Sequence, residues 1–165
     1  MADRPRVGLS RCLLGDAVRY DGGHKHEPSL VADLSARVEL IPVCPELEVG
    51  MGVPREPIQL AVAGDGRARL VGVDTATDWT DRMEAWAAGR IAALRALGLS
   101  GFVLKARSPS CGPRDVPVQD GAVSAGMFAG ALMRALPALP VEDEERLRDP
   151  AVRAAFLDRV AAYRD

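Results

Sequence analysis

Short apolar runs alternate along the chain with glycine- and proline-rich stretches and with longer segments of helical periodicity. Arg6 to Leu9 is an apolar run that ends in Ser10-Arg11-Cys12, a buried strand entering a loop. Residues 13–27 carry Gly, Asp, His and Lys, the composition of an exposed loop. Pro28 to Ala36 predicts a short helix with Leu30, Val31 and Leu34 on one face. Val38 to Val43 is a second apolar strand, followed by Cys44-Pro45-Glu46, and residues 47–57, with two glycines and two prolines, predict loop. Ile58–Val62 and Ala68–Val73 flank Asp65-Gly66, which predicts a β-hairpin. Asp78 to Leu97 is a strong helix with Met83, Ala87, Ile91 and Leu94 at helical spacing and Gly98 as its stop. Gly101 to Lys105 is a third apolar strand, leading into Ser108-Pro109-Ser110-Cys111. Residues 124–136 predict a helix capped by Ser124, and Leu139 to Val141 a short last strand. Asp149-Pro150 opens a terminal helix, about 150–164, with Val152, Phe156, Val160 and Tyr163 inward.

Strands that alternate with helices imply βαβ units and a mainly parallel sheet. The expected fold class is α/β: one three-layer, Rossmann-like domain over residues 1–165 with an added β-hairpin. A chain of 165 residues suffices for one domain with a sizeable core. Hydrophobic residues make up 48% and charged residues 27%, a globular rather than disordered composition. A formal net charge of −2 gives no basic balance for a nucleic-acid polymer. No apolar run approaches the ~20 residues of a membrane span, and the first residues lack the apolar stretch of a signal peptide. The expected location is cytoplasmic, and the expected state a monomer or homodimer.

Three cysteines, an odd number, argue against a disulfide framework. Cys12, Cys44 and Cys111 are too far apart for a local zinc motif, yet each follows an apolar strand. In a parallel sheet the carboxyl ends of the strands share one edge, where ligand crevices form. Three loops with one cysteine each are therefore expected to converge. A single cysteine would be read as buried filler. Three in equivalent positions predict a shared site. Three thiolates are too few for a closed zinc site unless His24 or His26 joins, and both sit in a charged loop. Soft thiolates suit zinc, copper(I) or an iron–sulfur cluster, and spacing alone does not choose among them.

Polar residues beside the thiolates are candidates for the chemistry. Glu46, two positions after Cys44, is placed to act as a general acid or base. The hydroxyls of Ser108 and Ser110 can orient substrate or relay a proton, with turn capping as the ordinary alternative. Arg19 and Arg55 are candidate substrate-binding residues, and Lys105 and Arg107 precede the third cysteine loop. Taken one at a time, Arg55, Lys105 and Arg107 are expected at the solvated surface.

These motifs resemble one family. Cys12-Leu13-Leu14-Gly15, Val18-Arg19-Tyr20-Asp21-Gly22-Gly23, Pro42-Val43-Cys44-Pro45-Glu46, Pro54-Arg55-Glu56-Pro57 and Ser108-Pro109-Ser110-Cys111-Gly112 are similar to the ordered motifs of the DUF523 family, whose characterised members are thiouracil desulfidases. The end of the chain resembles the end of this domain in longer relatives that continue into a DUF1722 domain. The resemblance implies a [4Fe–4S] cluster on Cys12, Cys44 and Cys111 with one iron open. It implies catalytic roles for Glu46 and Ser108, and a thiolated pyrimidine as the small-molecule substrate. Its implied reaction is non-redox hydrolysis to uracil and hydrogen sulfide. The chain departs from many relatives at Pro117-Val118-Gln119-Asp120-Gly121, a segment expected to bear on the pocket. Two rivals are a cysteine-persulfide sulfurtransferase working through Cys111, with Arg107 and Arg114 nearby, and a metal- or redox-sensing module without turnover.

Overall fold

The computed structural model describes residues 3–165 and shows a three-layer α/β architecture around a four-stranded parallel sheet. The elements run β1 (Arg6–Ser10), α1 (Pro28–Ser35), β2 (Glu39–Val43), α2 (Pro45–Glu48), β3 (Ile58–Val62), β4 (Ala68–Gly72), α3 (Thr80–Ala96), β5 (Leu99–Leu104), β6 (Val116–Pro117), β7 (Val123–Ser124), α4 (Met127–Ala135), β8 (Val141–Asp143) and α5 (Pro150–Ala162). Sheet order is β2-β1-β5-β8. The antiparallel pair β3–β4 is the expected hairpin, and β6–β7 is a second, shorter pair.

Alternation of side chains along the strands builds two apolar layers. Val7, Leu9 and Val103 pack with Leu30 and Leu34 of α1 and Phe156 and Val160 of α5. Phe102 and Leu104 face the other way, among Met83 and Ile91 of α3 and Phe128 and Leu132 of α4. Gly8 lets the Phe102 ring lie across β1, because a Cβ there would stand 2.3 Å from its Cε2. Phe128 closes on that ring at 5.7 Å between centroids, and Trp86 packs against Phe128 at 5.2 Å. The last helix starts as its sequence dictates: Asp149 Oδ1 accepts from Ala151 N at 2.9 Å and Pro150 occupies the first turn.

From β1 the chain crosses through α1 to β2 on one side, and from β5 through α4 to β8 on the other. Right-handed crossovers in opposite directions put the two helices on opposite faces, as seen here. A crevice therefore opens at the carboxyl ends of β1 and β5, the switch point of the sheet.

Several expectations change. Ser124 does not cap α4. It lies in β7 and its Oγ donates to Ala125 O at 3.1 Å. α4 starts at Met127, with Gly126 before it, and its first N–H groups meet carbonyls of the third cysteine loop. The last strand is Val141–Asp143 rather than Leu139–Val141. Its Glu142 and Asp143 are buried because Arg114 and Arg146 neutralise them, a pairing that apolar periodicity does not register. Residues 47–57 are not all loop, since Pro45–Glu48 forms one helical turn, and residues 13–27 contain the buried Leu13 and Val18.

Candidate active site

Three adjacent strands deliver the three cysteines to one place. β1 ends at Ser10 and enters a 3₁₀ turn, Arg11–Leu14, that carries Cys12. β2 ends at Val43, and Cys44 occupies the position just before α2. β5 ends at Leu104, and the loop that follows carries Cys111. All three are free thiols, buried, and line a single cavity of about 370 Å³. That volume lies at the lower end of the range for small-molecule sites. Glu46, Ser108, Ser110, Arg19, Arg55 and Lys105 line the same cavity.

The thiols sense one another and the cations around them. Burial pushes Cys12 up to about 11, Arg19 and Lys105 pull it back, and Cys44 adds a like-charge push. Cys44 is raised by burial, with the Leu47 backbone N–H leaning towards its sulfur and opposing, though no cap hydrogen bond closes there. Burial raises Cys111 as well, opposed by the hydroxyls of Ser10 and Ser110. Without a metal the site therefore holds neutral thiols, and thiolates would require compensating positive charge.

Each loop is pinned. Cys44 N donates to Glu48 Oε2 at 2.8 Å. Arg90 of α3 stands 3.1 Å from Glu48 Oε1, although its Nε–H is not aligned with it. The third loop is tied to α4: Met127 N donates to Pro109 O at 2.9 Å and Phe128 N to Ser110 O at 3.0 Å. Gly126 makes this approach possible, because a Cβ would lie 2.7 Å from Ser110 C and O. Lys105 is no surface residue. Its side chain is 14% exposed and its Nζ lies 2.8 Å from Oε1 of the buried Glu144. Ser10 Oγ accepts from Lys105 N at 2.9 Å, leaving its own proton for the Cys111 sulfur. Sequence reasoning missed Ser10 and Glu144; neither type in isolation signals a site.

Glu46 is held at both oxygens. Oε1 accepts from Arg55 Nε at 3.1 Å and Oε2 from Ser110 Oγ at 2.9 Å. Ser108 Oγ accepts the backbone N–H of Ser110 at 3.3 Å and of Cys111 at 3.1 Å. Its lone pairs are then used, so its proton points to Ser110 Oγ, 3.1 Å away. The hydroxyls form a directed chain, Ser108 to Ser110 to Glu46, with Cys111 Sγ a second acceptor 3.7 Å from Ser110 Oγ.

Not every candidate faces the cavity. His24 and His26 are exposed and absent from its lining. Arg107 lines the cavity but is exposed and pairs with Glu145, whereas Arg114 is absent from the lining and pairs with Asp143 and Glu142. Residues 117–121 form the turn of the β6–β7 pair and dock on β3 through Gln119 N to Leu60 O at 2.9 Å. They do not line the cavity. Among the described residues no His, Cys, Asp and Glu trio closes round a single metal ion, and no helix is long and apolar enough to cross a membrane.

An α/β scaffold with three buried thiols, a carboxylate and a serine chain at its switch point presents a cysteine-lined pocket of small-molecule size. Residues 7–144 match the family described as 2-thiouracil desulfurase, and the chain belongs to that family, an enzyme family. It is 32% identical over 127 residues to the uncharacterized protein YbbK of Bacillus subtilis (strain 168), covering 74% of this chain and 78% of that protein. Its fold is similar to the solved [4Fe-4S]-dependent thiouracil desulfidase TudS, with a TM-score of 0.70 and 28% identity over 92% of this chain and 99% of that one.

Proposed function

We propose that the chain removes sulfur from a thiolated pyrimidine by hydrolysis, with Cys12, Cys44 and Cys111 as the protein ligands of a [4Fe–4S] cluster. One observation carries the reading: three buried thiols from adjacent strand ends share a cavity with a doubly anchored carboxylate. The donor set fits the group. Thiolates are the soft ligands such clusters use, and each binds a different iron, so the ligands surround a body rather than a point. The chain has three cysteines and therefore offers no thiolate to a fourth iron. Arg19 and Lys105 beside Cys12, and Arg55 beside Cys44, supply positive charge for the thiolates.

A cluster held by Cys12, Cys44 and Cys111 would supply Lewis-acid chemistry to the substrate's thiocarbonyl, making its carbon electrophilic. The protein supplies the proton chemistry. Both Glu46 oxygens keep a lone pair beyond their anchors, so the carboxylate can take a proton from a water directed at that carbon. The proton Glu46 takes from that water is passed on to the departing sulfide, with the hydroxyls of Ser110 and of Ser108, half-buried at the cavity wall, turning to relay it. Arg19, without a carboxylate partner among the described residues, faces the cavity and is available to a pyrimidine carbonyl. Thiocarbonyl and water become carbonyl and hydrogen sulfide, and no electron is gained or lost.

The persulfide rival requires an exposed, electropositive cysteine. Cys111 is buried, and the two arginines near it are spent on carboxylates. Anaerobic purification tests the reading. The expected protein is brown, holds about four iron and four sulfide per chain, and turns 2-thiouracil into uracil whose new oxygen comes from labelled water. A colourless protein that is active in air and carries a persulfide on Cys111 would overturn it. So would a metal-loaded protein without turnover.

A further inference from the structure

Arg55 was expected from sequence to contact substrate. The structure places its guanidinium differently. The side chain is 6% exposed, less than the 16% of the Glu46 side chain it touches. Its three nitrogens reach three segments: Nε donates to Glu46 Oε1 at 3.1 Å, Nη1 to Gly52 O at 2.7 Å and Nη2 to Val18 O at 2.8 Å. Its backbone N–H donates to Tyr20 O at 2.8 Å. Val18 and Tyr20 belong to the loop that follows Cys12, Gly52 to the loop that leads to Arg55, and Glu46 to α2. A planar fork fixed at all three nitrogens has no torsion left with which to follow a substrate.

From this geometry we infer that Arg55 is a positioning residue for Glu46, and not a substrate-binding one. The Glu46 carboxylate is held by two side chains: Ser110 holds one oxygen and Arg55 the other. With Arg55 in place the carboxylate is fixed at both oxygens and tied to the loop that follows Cys12. Without it Glu46 retains one anchor and swings about the Ser110 contact. Misplacement of a reacting group by about 1 Å costs on the order of 10²-fold in rate. The inference rests on the proposed role of Glu46 and adds the residue that makes that role geometrically defined.

The experiment compares Arg55→Met, Arg55→Lys, Glu46→Gln and the double variants in anaerobically purified holoenzyme, with iron content measured for each. Four readouts are taken: kcat, KM for 2-thiouracil, the affinity for uracil by calorimetry, and coupling to Glu46. Arg55→Met is expected to lower kcat by ~10²-fold while KM and uracil affinity stay within about twofold. Arg55→Lys keeps the charge but not the fork and is expected to recover less than about a tenth of the lost rate. In the Glu46→Gln background, Arg55→Met is expected to cost less than about threefold more, because the group it positions is already gone. A raised KM and weakened uracil binding with kcat intact would overturn the inference and return Arg55 to the substrate. Full additivity with Glu46→Gln would overturn it as well. If Arg55→Met does not retain iron, Arg55→Lys decides by the same split. Wild-type activity in Glu46→Gln alone would instead remove the proposed role of Glu46, an outcome separate from either pattern.

Discussion

Replacing Gly126 by Ala is a one-atom perturbation that should be felt at the cysteines. The backbone there, φ −60° and ψ 159°, is open to any residue, so no conformational penalty arises from the dihedrals. The added Cβ would stand 2.7 Å from Ser110 C and O and 2.8 Å from Ser108 O, all backbone atoms that no rotamer change can move. Ordinary contact begins at 3.4 Å, so the third cysteine loop and the start of α4 must part by about 0.7 Å, the difference from 2.7 Å. Such overpacking costs about 1–3 kcal/mol, offset in part by about 0.4–1 kcal/mol of unfolded-state entropy lost with glycine. A net destabilisation of about 1–2 kcal/mol is expected in urea unfolding of the metal-free protein. The same shift lengthens the 2.9 Å contact of Ser110 with Glu46, so turnover should fall by ~10-fold or more at full iron content. Gly89 is the control. It lies within α3, exposed, with nothing within 4 Å of a built Cβ, and Gly89→Ala should stabilise by about 0.5–1 kcal/mol without changing turnover. If Gly126→Ala unfolds at the wild-type urea midpoint and turns over at the wild-type rate, the proposed coupling between α4 and the cysteine loop is wrong.

Glu46→Gln should reduce turnover by ~10²–10⁴-fold while iron content stays at the wild-type level, measured by sulfide release against iron analysis. Glu144→Ala strips the counter-ion from a Lys105 side chain only 14% exposed, and the metal-free protein should lose about 3–5 kcal/mol in chemical unfolding. The metal-free thiols set a pH dependence. Cys12 is raised from 9.0 to about 11, so the fold favours its neutral form. The contribution to stability is full below about pH 9 and declines as pH rises through about 11, where the buried thiol must ionise. Unfolding midpoints across pH 8–11 (roughly) should fall monotonically in the metal-free protein. Flat midpoints would refute the burial argument.

Convergence of the cysteines was legible in the sequence because parallel strands place their carboxyl ends together whatever the loops between them do. The hairpin, the long helix α3 and the Asp149-Pro150 start of α5 were legible for local reasons: a glycine turn, a 3.6-residue stripe and a side-chain cap. What escaped depends on partners distant in the chain. Taken one at a time, Lys105 and Arg55 read as solvated side chains, and Arg55 otherwise as a substrate contact, because their neighbours, Glu144 in one case and Glu46 with Val18 in the other, are not adjacent to them. Ser124 looked like a cap because the true partners of α4, the carbonyls of Pro109 and Ser110, come from another loop. The turn at Pro45–Glu48 is too short to show a period, and it forms because Glu48 reaches back to Cys44 N.

The proposed reaction requires an iron–sulfur cluster on Cys12, Cys44 and Cys111 with one iron lacking a protein ligand. Mössbauer spectra of the ⁵⁷Fe-enriched protein, before and after thiouracil is added anaerobically, address that claim directly. One of about four iron sites should differ from the others and shift on addition of substrate, and Cys→Ser at any of the three positions should abolish the spectrum. Equivalent irons that ignore thiouracil, or an unchanged spectrum in Cys12→Ser, would contradict it.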